Sequence, residues 1–571
     1  MLSTGKLSLK RDWLIDLCWI TLLLSTFYAI WMGSHALFTP DEGRYSEVAR
    51  EMIASGDYIT PRLNGVAFLD KPVLYYWLQA SAIHLFGLKE TALRFWPACF
   101  GIIGCLITYL AGYRLFNRRT GILSALMLAS SPLFYGAAHY ANLDLEVAIF
   151  ISSALFFFLF GIQSEQKNTR TAFLLTAYFF SALAFLTKGL IGLVFPAMIV
   201  GSWIVLMNRW ALLKEMRLIS GLFLFSAMTI PWYVLVQKAN PQFLHFFFVT
   251  QQITRFLTKT EFNNKAAFWF YLPIVLIGFF PWSVFVIQSI IAALKKVWRN
   301  RIQHQTELFL LLWLFIIFIF FSLPKSKTIG YILPIFPVLA LLTGHYLSTI
   351  WKTAETKGVL IGKRSFIIVC GLAALTCLLV PHAKTIIRPA LFPYIYYTGA
   401  IFFIAGIVAT YLLRKKSNLS AFFYCFIMTA CVFALILLAS TPAVNRKSIK
   451  PLALELKAKL KPDDEVVTYF KYYQDLPIYI QRRITIVADW HAADIPRYDN
   501  WLRELWYGMP FQNTKEWLID EKTFHDRWNS SKRLFVMLNM NYYQQFSSSI
   551  KSPIYKLDQH NEVVLVSNKE N

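Results

Sequence analysis

Apolar segments of membrane length recur along this chain from Trp13 to Ser440. A hydrocarbon core about 30 Å thick requires about 20 predominantly apolar residues for one helical crossing. Inside such a core the backbone must satisfy its own hydrogen bonds, as a helix does. The sequence therefore predicts a polytopic α-helical membrane protein with thirteen spans, at residues 12–33, 94–113, 121–138, 145–162, 172–187, 190–207, 218–236, 267–292, 307–323, 330–350, 365–381, 393–413 and 420–440.

Composition and charge agree with this fold class. Of the 571 residues, 57% are apolar, 17% are aromatic and only 15% are charged, which excludes an ordinary soluble globule. Much of the net charge of +24 comes from Lys and Arg in every second short loop, such as 114–119, 295–301 and 414–416. Because positively charged loops stay in the cytoplasm, we predict a cytoplasmic N-terminus, an extracytoplasmic tail and no nucleic-acid partner.

Two regions fall outside the span pattern, a long first loop at about 34–93 and the tail at 441–571. We therefore predict a transmembrane domain over residues 1–440, which includes the loop, and a separate domain over residues 441–571. The tail combines a helical stretch near 448–460 with several strand-like runs, which indicates a small α/β domain. The runs lie at 465–470, 483–487, 533–538 and 562–566.

The first loop has its own helical patterns. Apolar residues recur at helical spacing over 45–53, while Arg44, Glu47, Arg50 and Glu51 occupy the other face. This pattern predicts an amphipathic helix that lies in the membrane interface. A second helix is expected to begin at Pro72, a favoured first helical residue, and to present interfacial aromatics at Tyr75, Tyr76 and Trp77.

A charged octapeptide, residues 38–45, lies directly behind the first span. Thr39, Pro40 and Glu42 fit a capping box, and on that interpretation they only start a helix. The same position has a chemical consequence, because a helix N-terminus stabilises the ionised form of a carboxylate such as Asp41. The two interpretations are compatible, and the sequence leaves both open.

Further polar residues collect on the predicted outer side of the membrane. Each has a structural explanation, since a lysine near a span end snorkels to water and an aspartate caps a helix. Together, converging carboxylates and cations predict a site for an anionic, phosphate-bearing substrate. These residues are Asp70, Lys71, Asp144, Glu146, Lys188, Arg255, Lys325, Lys327 and Tyr331.

The segment Asp41–Met52, DEGRYSEVAREM, closely resembles the first-loop signature of bacterial lipid A aminoarabinose transferases. These enzymes are GT-C glycosyltransferases that use polyprenyl-phosphate sugars and are related to protein O-mannosyltransferases. Four later segments resemble further motifs of the family in the same order: 70–72, 139–146, 187–189 and 326–334. The resemblance extends over about residues 10–440, and it implies a GT-C fold with thirteen spans and an extracytoplasmic C-terminal domain.

The resemblance also implies roles for individual residues. Asp41 is expected to be the leading catalytic carboxylate and Asp144 a second one. The donor phosphate and sugar are expected to contact Arg44, Tyr45, Lys71, Lys188, Arg255, Lys327 and Tyr331. Further candidates for the site are Glu42, Asp70, Glu146, Gln252 and Lys325.

The chain departs from the family pattern at two positions. Asp70 stands where the family tends to have glutamate, and Gln252 stands where a histidine is expected shortly before Arg255. A site built on glutamate and histidine could bind a metal or contact the sugar, so both differences weaken the case for a metal. A divalent metal stays possible but is not supported, so we assign no cofactor, and the identity of the sugar stays open.

By resemblance, the expected activity is transfer of a sugar from undecaprenyl phosphate to lipid A, with inversion at the anomeric carbon. The sugar would be 4-amino-4-deoxy-L-arabinose or a related amino sugar, and this lipopolysaccharide modification is associated with polymyxin resistance. The expected setting is the periplasmic face of the bacterial inner membrane, with membrane lipids around a monomeric enzyme.

The chemistry depends on the acceptor. A departing lipid phosphate is an anion and needs cations. A phosphate acceptor is already anionic, so Asp41 would orient it or steady charge at the sugar, whereas a hydroxyl acceptor would need Asp41 as a general base. Two alternatives remain open: a different acceptor such as a protein serine or threonine, and a lipid or sugar transporter. Transporters usually place ionisable groups near the bilayer midplane, unlike the pattern here.

Overall fold

The computed structural model describes residues 12–254, 266–351, 356–383, 387–497 and 500–570. Within these residues, ten helices are long and apolar enough to cross a membrane, and two bent helix pairs raise the number to twelve. The remaining predicted span, 190–207, is a shorter apolar helix of 17 residues, Ile191–Met207. The predicted polytopic helical fold is confirmed. The ten helices are Asp12–Ala29, Glu90–Leu115, Asp144–Ile162, Lys167–Lys188, Leu218–Ala239, Gln305–Ser322, Ile329–Thr349, Lys357–His382, Pro389–Arg414 and Leu419–Ala439.

Two predicted spans are bent at proline. Helices Arg118–Ala129 and Pro132–Ala138 meet at 67°, and helices Phe268–Gly278 and Trp282–Arg299 meet at 109°. Pro132 opens the second helix of one pair, and Pro281 lies in the break of the other. Proline has no N–H to continue the helical ladder, so each bend has a local cause in the sequence.

The chain divides into two compact units. The first unit contains Met1–Met32, Pro97–Thr229 and Ala266–Val444, and the second contains Gly33–Trp96, Ile230–Lys265 and Asn445–Asn571. The second unit thus groups the first loop with the tail. The domain boundary placed near residue 440 on composition stays a prediction.

The first unit is built around helix Asp144–Ile162, whose residues are nearly all buried. This helix is apolar on every side, as expected for a helix surrounded by others. It packs against helix Lys167–Lys188, and aromatic rings such as Phe157 and Phe180 stack between the two. Because the two helices run in opposite directions, Asp144 and Lys188 lie at the same end.

The second unit contains two sheets. Residues Arg62–Leu63 (β1) and Val66–Ala67 (β2) form a hairpin in the first loop. The tail forms a six-stranded sheet in the order β5–β4–β3–β6–β8–β7, parallel from β5 to β6 and antiparallel beyond. Its strands are Glu465–Tyr469 (β3), Thr485–Val487 (β4), Leu518–Ile519 (β5), Leu534–Asn539 (β6), Tyr555–His560 (β7) and Val563–Ser567 (β8).

The predicted tail elements are confirmed as helix Lys450–Lys459 and strands β3, β4, β6 and β8. Strands β5 and β7 were missed, because β5 has two residues and β7 is a partly exposed edge strand without an apolar run. The core lies between the sheet and its helices, around side chains such as Val467, Phe524 and Val536. The tail helices are Lys450–Lys459, Leu476–Ile480, Trp501–Gly508, Glu521–Trp528 and Met540–Ser549.

The first loop forms helices Asp41–Ser55 and Leu74–Phe86. The predicted capping box is wrong, since the N-cap residue is Pro40, whose side chain makes no capping hydrogen bond. The predicted helix over 45–53 is confirmed, but its predicted position in the membrane interface is wrong, because its charged residues Glu47 and Glu51 are buried. Charges become buried in this way only when they are paired, and Arg50 binds both carboxylates at 2.7 to 2.8 Å.

Candidate active site

The first-loop motif forms a charge cluster in the second unit. Asp41 begins helix Asp41–Ser55, and Arg44 follows one turn later. The Arg44 guanidinium donates hydrogen bonds to two carboxylates, through Nη2 to Asp41 and through Nη1 to Glu504. The side chains of Arg44 and Asp41 are only 14% and 28% exposed. The structure therefore brings the predicted residues Asp41 and Arg44 together and adds Glu504.

Arg44 is held in its charged form. Burial by itself would lower the pKa of Arg44, but the adjacent charges, that of Glu504 first, hold the pKa well above its ordinary value. The guanidinium also lies 5.0 Å from the centroid of the Tyr45 ring, at the distance of a cation–π contact. Asp41 therefore faces a fixed positive charge.

Aromatic rings enclose Tyr45, which is 7% exposed. Its ring centroid lies 5.9 Å from that of Tyr75 and 6.3 Å from that of Tyr76. Both neighbours come from helix Leu74–Phe86 and are fully buried. The prediction that Tyr75 and Tyr76 lie in the membrane interface is wrong, because they pack against the first-loop helix instead.

Asp70 and Lys71 lie on the same loop, after the hairpin. Asp70 Oδ1 accepts a hydrogen bond from Gln251 Nε2 at 3.0 Å, and Lys71 Nζ donates to the Asp70 carbonyl at 3.2 Å. Asp70 thus lies beside helix His245–Thr254. The side chain of Gln252, on that helix, and the whole of Arg255 lie outside the described residues.

Glu42, another predicted candidate for the site, forms a buried ion pair with Arg94. Its carboxylate accepts two hydrogen bonds from Arg94, at 2.8 Å to Nε and 2.7 Å to Nη2, and neither side chain is exposed. The Phe38 N–H donates to the same carboxylate at 2.8 Å. These contacts anchor the start of the first-loop helix.

A second charge cluster lies in the first unit. Lys188, the last residue of its helix, donates a hydrogen bond to Asp144, the first residue of the neighbouring helix. The Lys188 Nζ atom lies 4.1 Å from the centroid of the Tyr331 ring, which comes from the 3₁₀ helix Ile329–Ile335. Three residues predicted from separate motifs are therefore in contact.

The position of Asp144 is fixed by two neighbours. Asn142 accepts a hydrogen bond from the Asp144 N–H at 2.9 Å through its side-chain oxygen. Gly330 approaches the carboxylate so closely that a Cβ atom at this position would collide with Asp144 Oδ2 and lie 2.8 Å from Cγ. Glycine at 330 thus lets the 3₁₀ helix close over Asp144.

Glu146 is fully buried on the same helix as Asp144. Neither of its carboxylate oxygens has a hydrogen-bond partner among the described residues. Residues two apart on a helix do not share a face, so Glu146 does not join the contact between Asp144 and Lys188.

Lys325 and Lys327 lie between two spans of the first unit. Lys325 is exposed, and its carbonyl accepts the Ala266 N–H at 3.0 Å. Lys327 is 5% exposed, and its Nζ donates to the carbonyls of Ala266, at 3.2 Å, and Pro324. Desolvation lowers the pKa of Lys327.

Sequence reasoning missed Glu504, which lies in the tail 460 residues from its partner Arg44. No local motif marks it, because one glutamate on a mixed helix resembles any surface residue. Within the part of the chain that the structure describes, no group of three or more His, Cys, Asp or Glu residues is placed to hold a metal ion.

Known families match two segments of the chain. The family described as dolichyl-phosphate-mannose-protein mannosyltransferase matches residues 70–235. The family described as aminoarabinose transferase C-terminal domain matches residues 452–568. The first match contains the segment from Asp70 to Lys188, and the second contains nearly the whole tail.

Curated relatives share one name, undecaprenyl phosphate-alpha-4-amino-4-deoxy-L-arabinose arabinosyl transferase. The relative from Erwinia tasmaniensis is 33% identical over 332 residues, which cover 57% of this chain and 59% of the relative. The relative from Aeromonas salmonicida is 33% identical over 326 residues, 57% of this chain and 58% of the relative. The matches thus span about three fifths of the length of these relatives.

Solved structures agree over a larger part of the chain. The crystal structure of ArnT from Cupriavidus metallidurans bound to undecaprenyl phosphate matches with a TM-score of 0.84 and 25% identity, covering 98% of each chain. The archaeal oligosaccharyltransferase AglB from Archaeoglobus fulgidus, with a TM-score of 0.51, 12% identity and coverage of 94% and 70%, is similar in fold alone. The resemblance to the bacterial aminoarabinose transferases, predicted from the sequence motifs, is thereby confirmed, together with the GT-C class of the fold.

Proposed function

We propose that this protein is an inverting membrane glycosyltransferase that moves 4-amino-4-deoxy-L-arabinose, or a related amino sugar, from undecaprenyl phosphate to lipid A. The observation that carries the proposal is the pairing of Asp41 with Arg44 within the first-loop motif. The names of the curated relatives support the donor and the sugar. The undecaprenyl phosphate bound to the similar ArnT from Cupriavidus metallidurans supports a polyprenyl-phosphate carrier.

In the proposed reaction, the acceptor oxygen attacks the anomeric carbon while the bond from that carbon to the carrier phosphate breaks. The departing phosphate is an anion, and fixed cations stabilise it. Each unit offers its own candidate cations for this role: Lys188 in the first unit, and Lys71 and Arg44 in the second. In the second unit, Asp41 orients the acceptor or stabilises positive charge at the sugar, and for a hydroxyl acceptor it takes the proton. In the first unit, Asp144 is the carboxylate that we propose as essential.

We place the reaction on the periplasmic side of the bacterial inner membrane. Lys and Arg in alternate loops support a cytoplasmic N-terminus. With this topology the motif residues lie on the outer side of the membrane. A donor sugar carried on a lipid is consistent with this location, because its transfer requires no soluble nucleotide-sugar domain. We propose that the enzyme acts as a monomer.

The test uses the purified full-length chain in lipid nanodiscs, with undecaprenyl phosphate-4-amino-4-deoxy-L-arabinose as donor and lipid A as acceptor. Mass spectrometry of lipid A should show an added pentosamine with the wild type. Asp41→Asn should lose transfer, whereas Asp463→Asn, at an exposed tail position, should retain it. Full transfer by Asp41→Asn would contradict the site, and no transfer by the wild type would contradict the function.

A second acceptor class has one specific observation in its favour, the match of residues 70–235 to the protein mannosyltransferase family. On that alternative the acceptor is a serine or threonine hydroxyl of a protein. The same assay with a protein acceptor distinguishes the two, because only one acceptor should gain the sugar mass.

A further inference from the structure

We infer that Glu504 is a positioning residue, contributed by the tail, that limits Arg44 to a single hydrogen bond with Asp41 in the first-loop site. The inference rests on the proposed function for its chemical meaning. If it is correct, a residue of the C-terminal tail positions a side chain of the first-loop site. It concerns only residues of the second unit.

The contacts of Arg44 are the first argument. Its two terminal amines are divided between two carboxylates, Nη1 to Glu504 and Nη2 to Asp41. A guanidinium prefers to bind one carboxylate with two parallel hydrogen bonds. Glu504 occupies one of the two amines, and Arg44 therefore engages Asp41 through the other alone. Without Glu504, the guanidinium would turn onto Asp41 and occupy both carboxylate oxygens.

The location of Glu504 is the second argument. It lies on helix Trp501–Gly508, whose N-terminus is capped by Asn500, accepting the Arg503 N–H at 3.2 Å. At the other end, Gly508 approaches the Ala67 carbonyl so closely that a Cβ atom would collide with it. The helix is thus docked on the first-loop hairpin, so Glu504 is held in a fixed place.

The first-loop helix is docked on the tail as well. A Cβ atom at Gly43 would lie 2.8 Å from the Asp475 nitrogen and 2.9 Å from the Gln474 carbonyl carbon. Farther along the helix, Glu51 accepts a hydrogen bond from Arg483 at 3.3 Å. Because contacts lie on both sides of Arg44 in the sequence, the distance between Glu504 and Arg44 is set by the backbone of both segments.

The burial of the cluster is the third argument. The side chains of Arg44 and Glu504 are 14% and 16% exposed. An ion pair at the surface contributes little, whereas removal of one partner of a shielded pair leaves the other charge uncompensated. Loss of Glu504 should therefore change the position of Arg44 as well as remove a contact.

The experiment compares Glu504→Gln with Glu504→Asp and with Glu455→Gln, which removes a tail salt bridge to Lys459 outside the site. We expect kcat for sugar transfer to fall about 10- to 100-fold in Glu504→Gln, as for a reacting group displaced by about 1 Å. Glu504→Asp should recover part of the loss, and Glu455→Gln should match the wild type.

A double-mutant cycle separates positioning from a structural role. If Glu504 acts through Arg44, then Glu504→Gln should cause no further loss in an Arg44→Met background. A role in stability alone would lower the melting temperature and reduce activity equally in both backgrounds, which would overturn the inference. Equal kcat in Glu504→Gln and the wild type would overturn it as well.

A second readout does not depend on transfer activity. Phenylglyoxal modifies deprotonated guanidines, and mass spectrometry of the peptide that contains Arg44 measures the rate. Loss of the Glu504 charge should make modification of Arg44 several-fold faster, while Glu455→Gln should leave the rate unchanged. An unchanged rate in Glu504→Gln would overturn the inference, whereas absence of transfer by the wild type would contradict only the proposed function.

Discussion

Lys188 donates a hydrogen bond to Asp144 across two antiparallel helices of the first unit. The two side chains are 11% and 10% exposed, so each charge depends on the other for compensation. The Tyr331 ring lies beneath the ammonium group at 4.1 Å. These two contacts fix the position of the ammonium group.

Replacement of the cation should abolish most of the activity. We expect Lys188→Met to lower kcat by on the order of 100-fold, the effect of removing one charge-stabilising donor from an active site. Sugar transfer at saturating donor measures the loss. The control is Arg170→Gln on the same helix, which removes an exposed pair with Glu215. Comparable losses in the two variants would contradict a specific role for Lys188.

A methyl group at position 330 should displace Asp144. Gly330→Ala places a Cβ atom against the Asp144 carboxylate, so we expect a large loss of transfer with the protein still folded. Gly136→Ala is the matched control, since a Cβ atom there meets no atom within 4 Å and alanine favours a helix. If Gly330→Ala retains full transfer, the position of Asp144 does not matter for the reaction.

The buried pair of Glu42 and Arg94 should affect stability more than turnover. Glu42→Gln leaves a buried guanidinium without its charged partner, and we expect a cost of about 3 to 5 kcal/mol in the free energy of unfolding. Chemical denaturation in detergent measures it. The double variant Glu42→Gln/Arg94→Met should be less destabilised than the sum of the single changes. Additive losses would argue against the ion pair.

The stability of the second unit should depend on Asp475. Burial raises the pKa of Asp475 from 3.8 to about 7, in spite of hydrogen bonds from Ser448 and the Ile449 N–H. The pKa of Asp475 is higher in the folded protein than in the unfolded chain, so folding favours the protonated carboxyl. The stabilisation that comes from protonated Asp475 is therefore complete below pH about 4. It is lost as the pH rises through about 7.

Asp475→Asn removes this titration. Relative to the wild type, the variant should therefore gain stability as the pH increases from 4 to 8, as followed by melting temperature at each pH. The control is Asp463→Asn, at an exposed position of the same tail. Its difference in melting temperature from the wild type should not change with pH in the same way. A pH-independent difference for Asp475→Asn would contradict the raised pKa.

The spans and most tail strands could be predicted from the sequence, because apolar length and local periodicity determine them. Even the bent spans carry their cause locally, at Pro132 and Pro281. The contact of Asp144, Lys188 and Tyr331 was also within reach, since the family motifs had grouped these residues in a single site.

Whether a charged side chain of the first loop is exposed or buried depends on the tertiary structure. By sequence, Glu47 and Glu51 lay on the exposed face of an amphipathic helix, yet both are buried beside Arg50. Helical periodicity shows that a face is polar, but it does not show whether another part of the chain covers that face.

Apolar length, charge pattern and short motifs are enough to establish a helical membrane protein, its resemblance to a family and the chemical types at the candidate site. The pairing of Glu42 with Arg94 and the division of Arg44 between Asp41 and Glu504 are seen in the folded chain alone. Both depend on residues that are far apart in the sequence. Glu504 lies 460 residues from Arg44, and a contact of that kind forms only when the first loop and the tail have folded together.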